Sequence, residues 1–400
     1  VIRGLDFAVL RRASIIALVG AIALAFALPG TAIPQARTLA SFATVRTTTT
    51  AYTPADLATA YDYAPLLKRG IDGAGQTVAL VEIDGYDPRD LTTFDSAYHL
   101  PDAAVSETYI GGKRIHLGAG TETTLDVELL HALAPGAAIQ LYYVDSNLSA
   151  PDAWKPLGSA LRSAQSHGAS IVSISLGTCG LDAFAGPTQS ALASLESHGI
   201  SVFVASGDHG DHPGPSTACG NNLGVAYPGA DPSVVAVGGT SLHLGPDGTI
   251  ADETAWRRSG GGRVFGLRRA TWQVVSGLPS DGARWAPDVS FDANVSTGVR
   301  FYVDGAWHTA GGTSVGAPAW AAAWALVRAD ARGAGVRVGA AAPLLYAIGN
   351  SLTGTAAFHD VTTGSNGAYS AHPGWDAVTG WGSPNVNALA TAVIDALSTP

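Results

Sequence analysis

The sequence contains no methionine and two cysteines, and three of its 22 basic residues are lysines: Lys68, Lys113 and Lys155. Charged residues of both signs make up 14% of the 400-residue chain, and the formal net charge is −10. No basic run exists to neutralise phosphates, which argues against a nucleic-acid partner. No CxxC pair occurs, which argues against a thiolate zinc site or a redox dithiol. A GxxxxGK[ST] loop is missing, and no GxGxxG follows a strand; "GAGVRVG" from Gly333 follows a helical stretch and reads as loop. The longest apolar run, Ala13 to Leu28, has sixteen residues, short for a membrane span.

That run has a pattern of its own. Arg11 and Arg12 precede it, and Pro29 with small residues follows it in "ALPGTA". This is the order of a secretory signal, expected over 1–32, with a membrane anchor through 13–28 as the alternative. Export implies an oxidising environment, where Cys179 and Cys219 are expected to pair and close a loop of roughly 40 residues. A polar linker is expected over 33–51, then one domain over 52–400. The 49 glycines and 22 prolines mark many tight turns.

Within the domain, short apolar runs alternate with helical stretches. Thr77–Ile83, Ile139–Val144, Ser170–Leu176, Ser201–Ala205 and Ser233–Val237 read as buried strands. Helical patterns lie between them at Thr121–Ala134, Trp154–His167 and Thr188–Ser197. The alternation predicts an α/β fold whose mainly parallel central sheet carries helices on both faces. Functional groups in such folds gather at the carboxyl ends of strands.

"TAGGTSVGAPAWAAAWALV", Thr309 to Val327, sets a serine and a proline ahead of a long apolar helix. Ser314 suits a helix N-cap, and Pro318 suits a first turn. Ser314 is also a candidate nucleophile, which would need a base. "GAGTETTLDVELLHALAPG" offers carboxylates: Glu122 and Asp126, at i and i+4, lie roughly 40° apart on one helical face. The helix macrodipole accounts for an acid in the first turn. A second acid one turn further repels the first, unless the two share a proton. His131 falls on the opposite side of that helix and reads as a packed or surface histidine. Asp208, in "FVASGDHG", ends a strand; it reads as a turn aspartate or, protonated, as a donor to a tetrahedral oxyanion.

These motifs in this order resemble the sedolisins, serine-carboxyl peptidases with a subtilisin-like fold. The likeness rests on "GGTSVGAP", "ETTLDVE" and "SGDHG". It continues through "YTPADLATAY", "YPGADPSVVAVGGTS", "SGGGRVF", "APDVSFDA" and "GWDAVTGWGSPN", nearly the whole chain after the signal. It implies Ser314 as nucleophile, Glu122 as base, Asp126 as its partner and Asp208 as the oxyanion acid. Glu82 would match an outer member of the carboxylate chain, although Leu176 stands where some relatives carry a tryptophan. Peptide substrates would pair antiparallel with Ser175, Leu176 and Gly177. One Ca²⁺ ion would be held by the carboxylates of Asp360 and Asp376 and the carbonyls of Val361, His372 and Gly374.

The expectation is therefore a secreted, monomeric, acid-active endopeptidase or tripeptidyl peptidase cutting peptides or proteins, with no lasting membrane association after signal cleavage. Two alternatives stay open. One is an inactive secreted binding module on the same scaffold. The other is a Ser-His-Asp hydrolase, against which stands the lack of a His-Gly-Thr-His signature.

Overall fold

The computed structural model describes residues 40–41, 43–46, 51–111, 120–145, 154–179, 185–219, 223–351 and 354–398. The stretch expected as a signal, 1–32, lies outside them.

Strand Thr77–Glu82 is a run of β-branched and apolar residues at the centre of an eight-stranded sheet. It pairs in parallel with Ala138–Tyr143 on one side and Ile171–Ile174 on the other. Val105–Tyr109 extends the first side, again in parallel. Ser201–Ala205, Val235–Leu244 and Val289–Asp292 extend the second in parallel, and Ile250–Ala255 closes it antiparallel. The five expected strands are all present, with ends shifted by one or two residues, except that Val235–Leu244 runs well past Val237.

Period-two alternation divides the core. Val78 and Leu80 point to one face, where they join Trp320, Trp324, Leu125 and Leu129. Ala79 and Val81 point to the other, among Leu157, Leu161, Leu192 and Leu195. The first core is built on helices Thr121–Leu133 and Thr313–Gly333, the second on Trp154–Ser166 and Gly186–Ser197. Because both faces are covered, the strands are apolar on both sides.

Thr313–Gly333 is the longest described helix and is buried from Thr313 through Val327. The Trp320 indole donates to the carbonyl of Ser290 at 2.8 Å and stacks on Phe203. At the sheet's far side the buried Arg284 pairs with Asp288, whose carboxylate also accepts the Ala236 N–H at 2.7 Å and the Tyr346 hydroxyl at 2.7 Å. Cys179 and Cys219 are bonded, as expected.

Two pieces of the stretch expected as linker are strands. Ala40–Ser41 runs antiparallel to Leu176–Gly177, and Thr44–Arg46 runs antiparallel to Ala306–Gly311.

Removing one partner of a fully buried ion pair leaves the other charge uncompensated. Arg284→Leu should lower unfolding free energy by about 3–5 kcal/mol; urea titration of the variant beside the wild type measures this.

Candidate active site

The strand order brings several chain ends to one edge of the sheet. Ser175 follows Ile171–Ile174, Asp208 follows Ser201–Ala205, and Glu82 closes Thr77–Glu82. The amino ends of helices Thr121–Leu133 and Thr313–Gly333 meet them there.

Ser314 is the second residue of its helix, and the N-cap is Gly312 at φ 115°. That φ suits glycine alone, and it turns the chain sharply from strand into helix. The capping reading of Ser314 therefore fails: its hydroxyl bonds none of its own helix's N–H groups and donates instead to the carbonyl of Ser175 at 3.2 Å. Pro318 stands in the second turn, one turn later than expected. Having no N–H, it leaves the Ser314 carbonyl without an i+4 donor. The Ser175 hydroxyl lies 3.3 Å from that carbonyl.

The same hydroxyl is 2.6 Å from Oδ2 of Asp126. One proton cannot serve both acceptors. If Asp126 is protonated it donates to Ser175, whose own proton is then free for Ser314. Burial, reinforced by the charge of Glu122, pushes the Asp126 carboxyl well above the usual range, which favours this arrangement. Asp126 thus reaches the backbone of Ser314 through Ser175.

Glu122 is fully buried, and its Oε2 accepts the Ala43 N–H at 3.0 Å while Oε1 has no partner. Burial raises its carboxyl to about 8, even though hydrogen bonding to Ser314 and to the Ala43 N–H works the other way. The Ser314 hydroxyl, bonded to the Ser175 carbonyl, thus also neighbours the Glu122 carboxyl. Glu82 is also fully buried and raised, by burial first and by Asp126 second, and it lies in hydrogen-bonding range of Asp126.

Asp208 sits across the amino end of the long helix. Its Oδ1 accepts both the N–H and the hydroxyl of Thr313 at 2.8 Å. Its Oδ2 is buried with no partner. Burial pushes the group up to about 7 against those two hydrogen bonds. A protonated Oδ2 is a donor without an acceptor beside Ser314, as an oxyanion site needs. Arg258 holds the Asp208 carbonyl at 2.9 Å.

No histidine bonds Ser314 or Glu122 among the described residues. His131 is fully buried on the far side of its helix, with Nε2 2.8 Å from the Pro101 carbonyl.

Of the three expected substrate-binding residues, Leu176 and Gly177 form the strand that Ala40–Ser41 pairs with. Ser175 is turned inward, with its side chain committed to Asp126. Thr313 and Arg258 fix Asp208; the first lies inside the "GGTSVGAP" motif, where no role was assigned to it, and the second had no signal beyond its closeness to "SGGGRVF".

The five expected calcium ligands fall in one loop region. Asp360 Oδ2 accepts the Gly374 N–H at 2.8 Å, and Asp376 Oδ2 accepts the His372 N–H at 3.2 Å. Both acids thus border the same turn. Among the described residues no three His, Cys, Asp or Glu side chains converge on a metal position, so an ion here needs the backbone carbonyls as well. Two carboxylates plus carbonyl oxygens are a donor set that fits Ca²⁺.

A model of the subtilase family matches residues 115–382. Kumamolisin of Bacillus sp. (strain MN-32) is 33% identical over 375 residues, covering 84% of this chain and 62% of that protein. Sedolisin of Pseudomonas sp. (strain 101) is 30% identical over 387 residues, covering 82% of this chain and 65% of that one. The chain therefore spans a little under two thirds of the length of these relatives. The solved structure of Pseudomonas sedolisin, a serine-carboxyl proteinase complexed with two molecules of pseudo-iodotyrostatin, superposes with a TM-score of 0.76. It is 28% identical, over 87% of this chain and 99% of that one. The fold is the subtilisin-like one expected.

Acids whose folded-state values are raised bind protons more tightly in the folded protein than in the unfolded chain. Their penalty is absent below the unfolded value near 4 and grows as pH climbs toward the folded values of about 7 and about 8. Stability should therefore fall between pH 5 and pH 8.5, by on the order of a few kcal/mol, and Glu122→Gln should flatten the fall. Melting temperature against pH for both proteins checks this.

Proposed function

The chain belongs to the subtilase family, and on that premise we propose that it is a serine-carboxyl peptidase working in acid. The observation that carries the reading is a pair of partnerless, buried carboxyl oxygens, Glu122 Oε1 and Asp208 Oδ2, on two acids of which one neighbours Ser314 and the other is bonded to the adjacent Thr313. One is free to accept the serine proton, the other to donate to an oxyanion.

Ser314 Oγ attacks the scissile carbonyl while Glu122 takes its proton. The tetrahedral oxyanion accepts a hydrogen bond from protonated Asp208. Glu122 returns the proton to the leaving amine, the C–N bond breaks, and an ester on Ser314 remains. Water, deprotonated by Glu122, then hydrolyses the ester and restores the serine. Asp126 steadies this geometry through Ser175. The chemistry needs Asp208 protonated and Glu122 ionised, so rate rises as the buried acid cluster gives up its first proton and falls as pH climbs through the Asp208 value of about 7.

Peptide substrates add as an antiparallel strand to Leu176–Gly177, the edge that Ala40–Ser41 occupies. That the Ala43 N–H reaches Glu122 supports the route: an extended chain on this edge runs past the base. The loop of Asp360, Val361, His372, Gly374 and Asp376 would hold one Ca²⁺ ion and fasten the segment. Export through residues 1–32 completes the reading. No helix among the described residues is long and apolar enough to cross a membrane.

Cleavage of a denatured protein, followed from pH 2.5 to 8.5, tests the reading. Ser314→Ala should abolish activity. Glu122→Gln should lower kcat by about 10²–10⁴-fold, and Asp208→Ala by about 10²–10³-fold. A folded protein that cleaves nothing would favour a binding module; a neutral optimum kept by Glu122→Gln would favour another base. Chelation of calcium should lower the melting temperature, and added Ca²⁺ should restore it.

A further inference from the structure

Helix Thr121–Leu133 carries both Glu122 and Asp126, yet its N-cap is Gly120, which has no side chain to satisfy the first-turn N–H groups. Asp84 supplies the missing acceptor from another part of the fold. It lies two residues beyond strand Thr77–Glu82. Its Oδ1 accepts the Thr123 N–H at 3.0 Å, and its Oδ2 accepts the N–H of Glu122 itself at 3.3 Å. The Thr123 hydroxyl is 2.7 Å from Asp84 Oδ1 and 3.3 Å from Glu82 Oε2, joining the two acids. Gly120 is what admits this carboxylate: a Cβ there would stand 2.0 Å from Asp84 Cγ.

Asp84 also differs from the acids around it in exposure. Glu82, Glu122 and Asp126 are fully buried, whereas Asp84 is partly open to solvent. Its charge acts on all three of them in the direction that retains protons. The groups facing the Glu122 carboxyl are Ser314 from the long helix, Ser41 and the Ala43 N–H from the amino-terminal segment, and Asp84. Asp126, one turn along the same helix, and Glu82, from the central strand, complete the cluster. Among the described residues none of the four acids forms an ion pair with lysine, arginine or histidine.

We propose that Asp84 is a positioning residue for this site: it clamps the first turn of helix Thr121–Leu133, so aiming Glu122 at Ser314, and sets the pH range of the reaction from the solvent-facing end of the acid cluster. The proposal rests on the serine-carboxyl reading. A purely structural cap would do the first of these things without the second. Asparagine keeps an acceptor oxygen for Thr123 and removes the charge; alanine removes both.

The experiment compares Asp84→Asn, Asp84→Ala and the wild type in kcat and KM from pH 2.5 to 8.5. Loss of a neighbouring negative charge eases ionisation of Glu122, Asp126 and Glu82. The acid limb of the Asp84→Asn profile should therefore move toward lower pH, by about half a unit to one unit, while the alkaline limb, set by Asp208, stays in place. Peak kcat should hardly change. Asp84→Ala should show the same displacement and lose about 10-fold in peak kcat, with KM little altered. An Asp84→Asn profile that superposes on the wild type, or moves to higher pH, overturns the charge role. Equal kcat in the two variants overturns the aiming role. A second readout needs no activity: melting temperature should fall less steeply from pH 5 to 8.5 in Asp84→Asn than in the wild type, and equal slopes would count against the proposal. If Ser314→Ala and Glu122→Gln both cleave like the wild type, the serine-carboxyl reading fails, while the melting comparison still decides what the Asp84 charge does.

Discussion

Everything distinctive about this site follows from burying carboxyl groups that form no ion pair among the described residues. Glu82, Glu122, Asp126 and Asp208 have essentially no exposure. An ionised carboxylate in such surroundings is costly, so the groups hold their protons instead. A cluster of acids that stays protonated can do what ionised acids cannot. Asp208 can donate a hydrogen bond through Oδ2, and Asp126 can donate one to Ser175. Among the described residues no histidine bonds Ser314 or Glu122.

The backbone is arranged around the same requirement. Pro318 withholds a donor from the Ser314 carbonyl, and Ser175 bridges that carbonyl to Asp126. Thr313 fastens Asp208 through both its N–H and its hydroxyl, and the Thr313 hydroxyl in turn accepts the Gly207 N–H at 3.1 Å. Each polar group near Ser314 is thereby fixed by a neighbour that belongs to a different strand or helix. The sheet supplies the rigidity for this: its parallel strands end together, and the two tryptophans of the long helix anchor it below them. The amino-terminal strand on Leu176–Gly177 shows that this edge accepts an extended chain, with backbone pairing doing the work that any peptide could share.

Much of this could be read directly from the chain. Buried strands announced themselves as β-branched runs, because a strand covered on both faces has no polar side to show. Glu122 and Asp126 stood out because two acids one helical turn apart repel each other without a reason to be there. Ser314 was harder. Serine followed by an apolar helix fits a cap as well as a nucleophile, and the distinction depended on whether the helix begins before or after it. The glycine at φ 115° placed the start before it.

What the sequence determined by itself was therefore local: the periodicities, the strand ends where function gathers, and the residue types of the motifs. What only the tertiary structure decided was which groups meet without water. The Ser175 side chain turns inward to Asp126, a contact that no local pattern announces. Asp84, which was not singled out in the sequence, caps a helix that starts 37 residues later (84 to 121). Protonation, too, belongs to the folded protein. It arises from desolvation by residues scattered along the chain, and no local pattern of sequence records how many of them close over a given carboxyl.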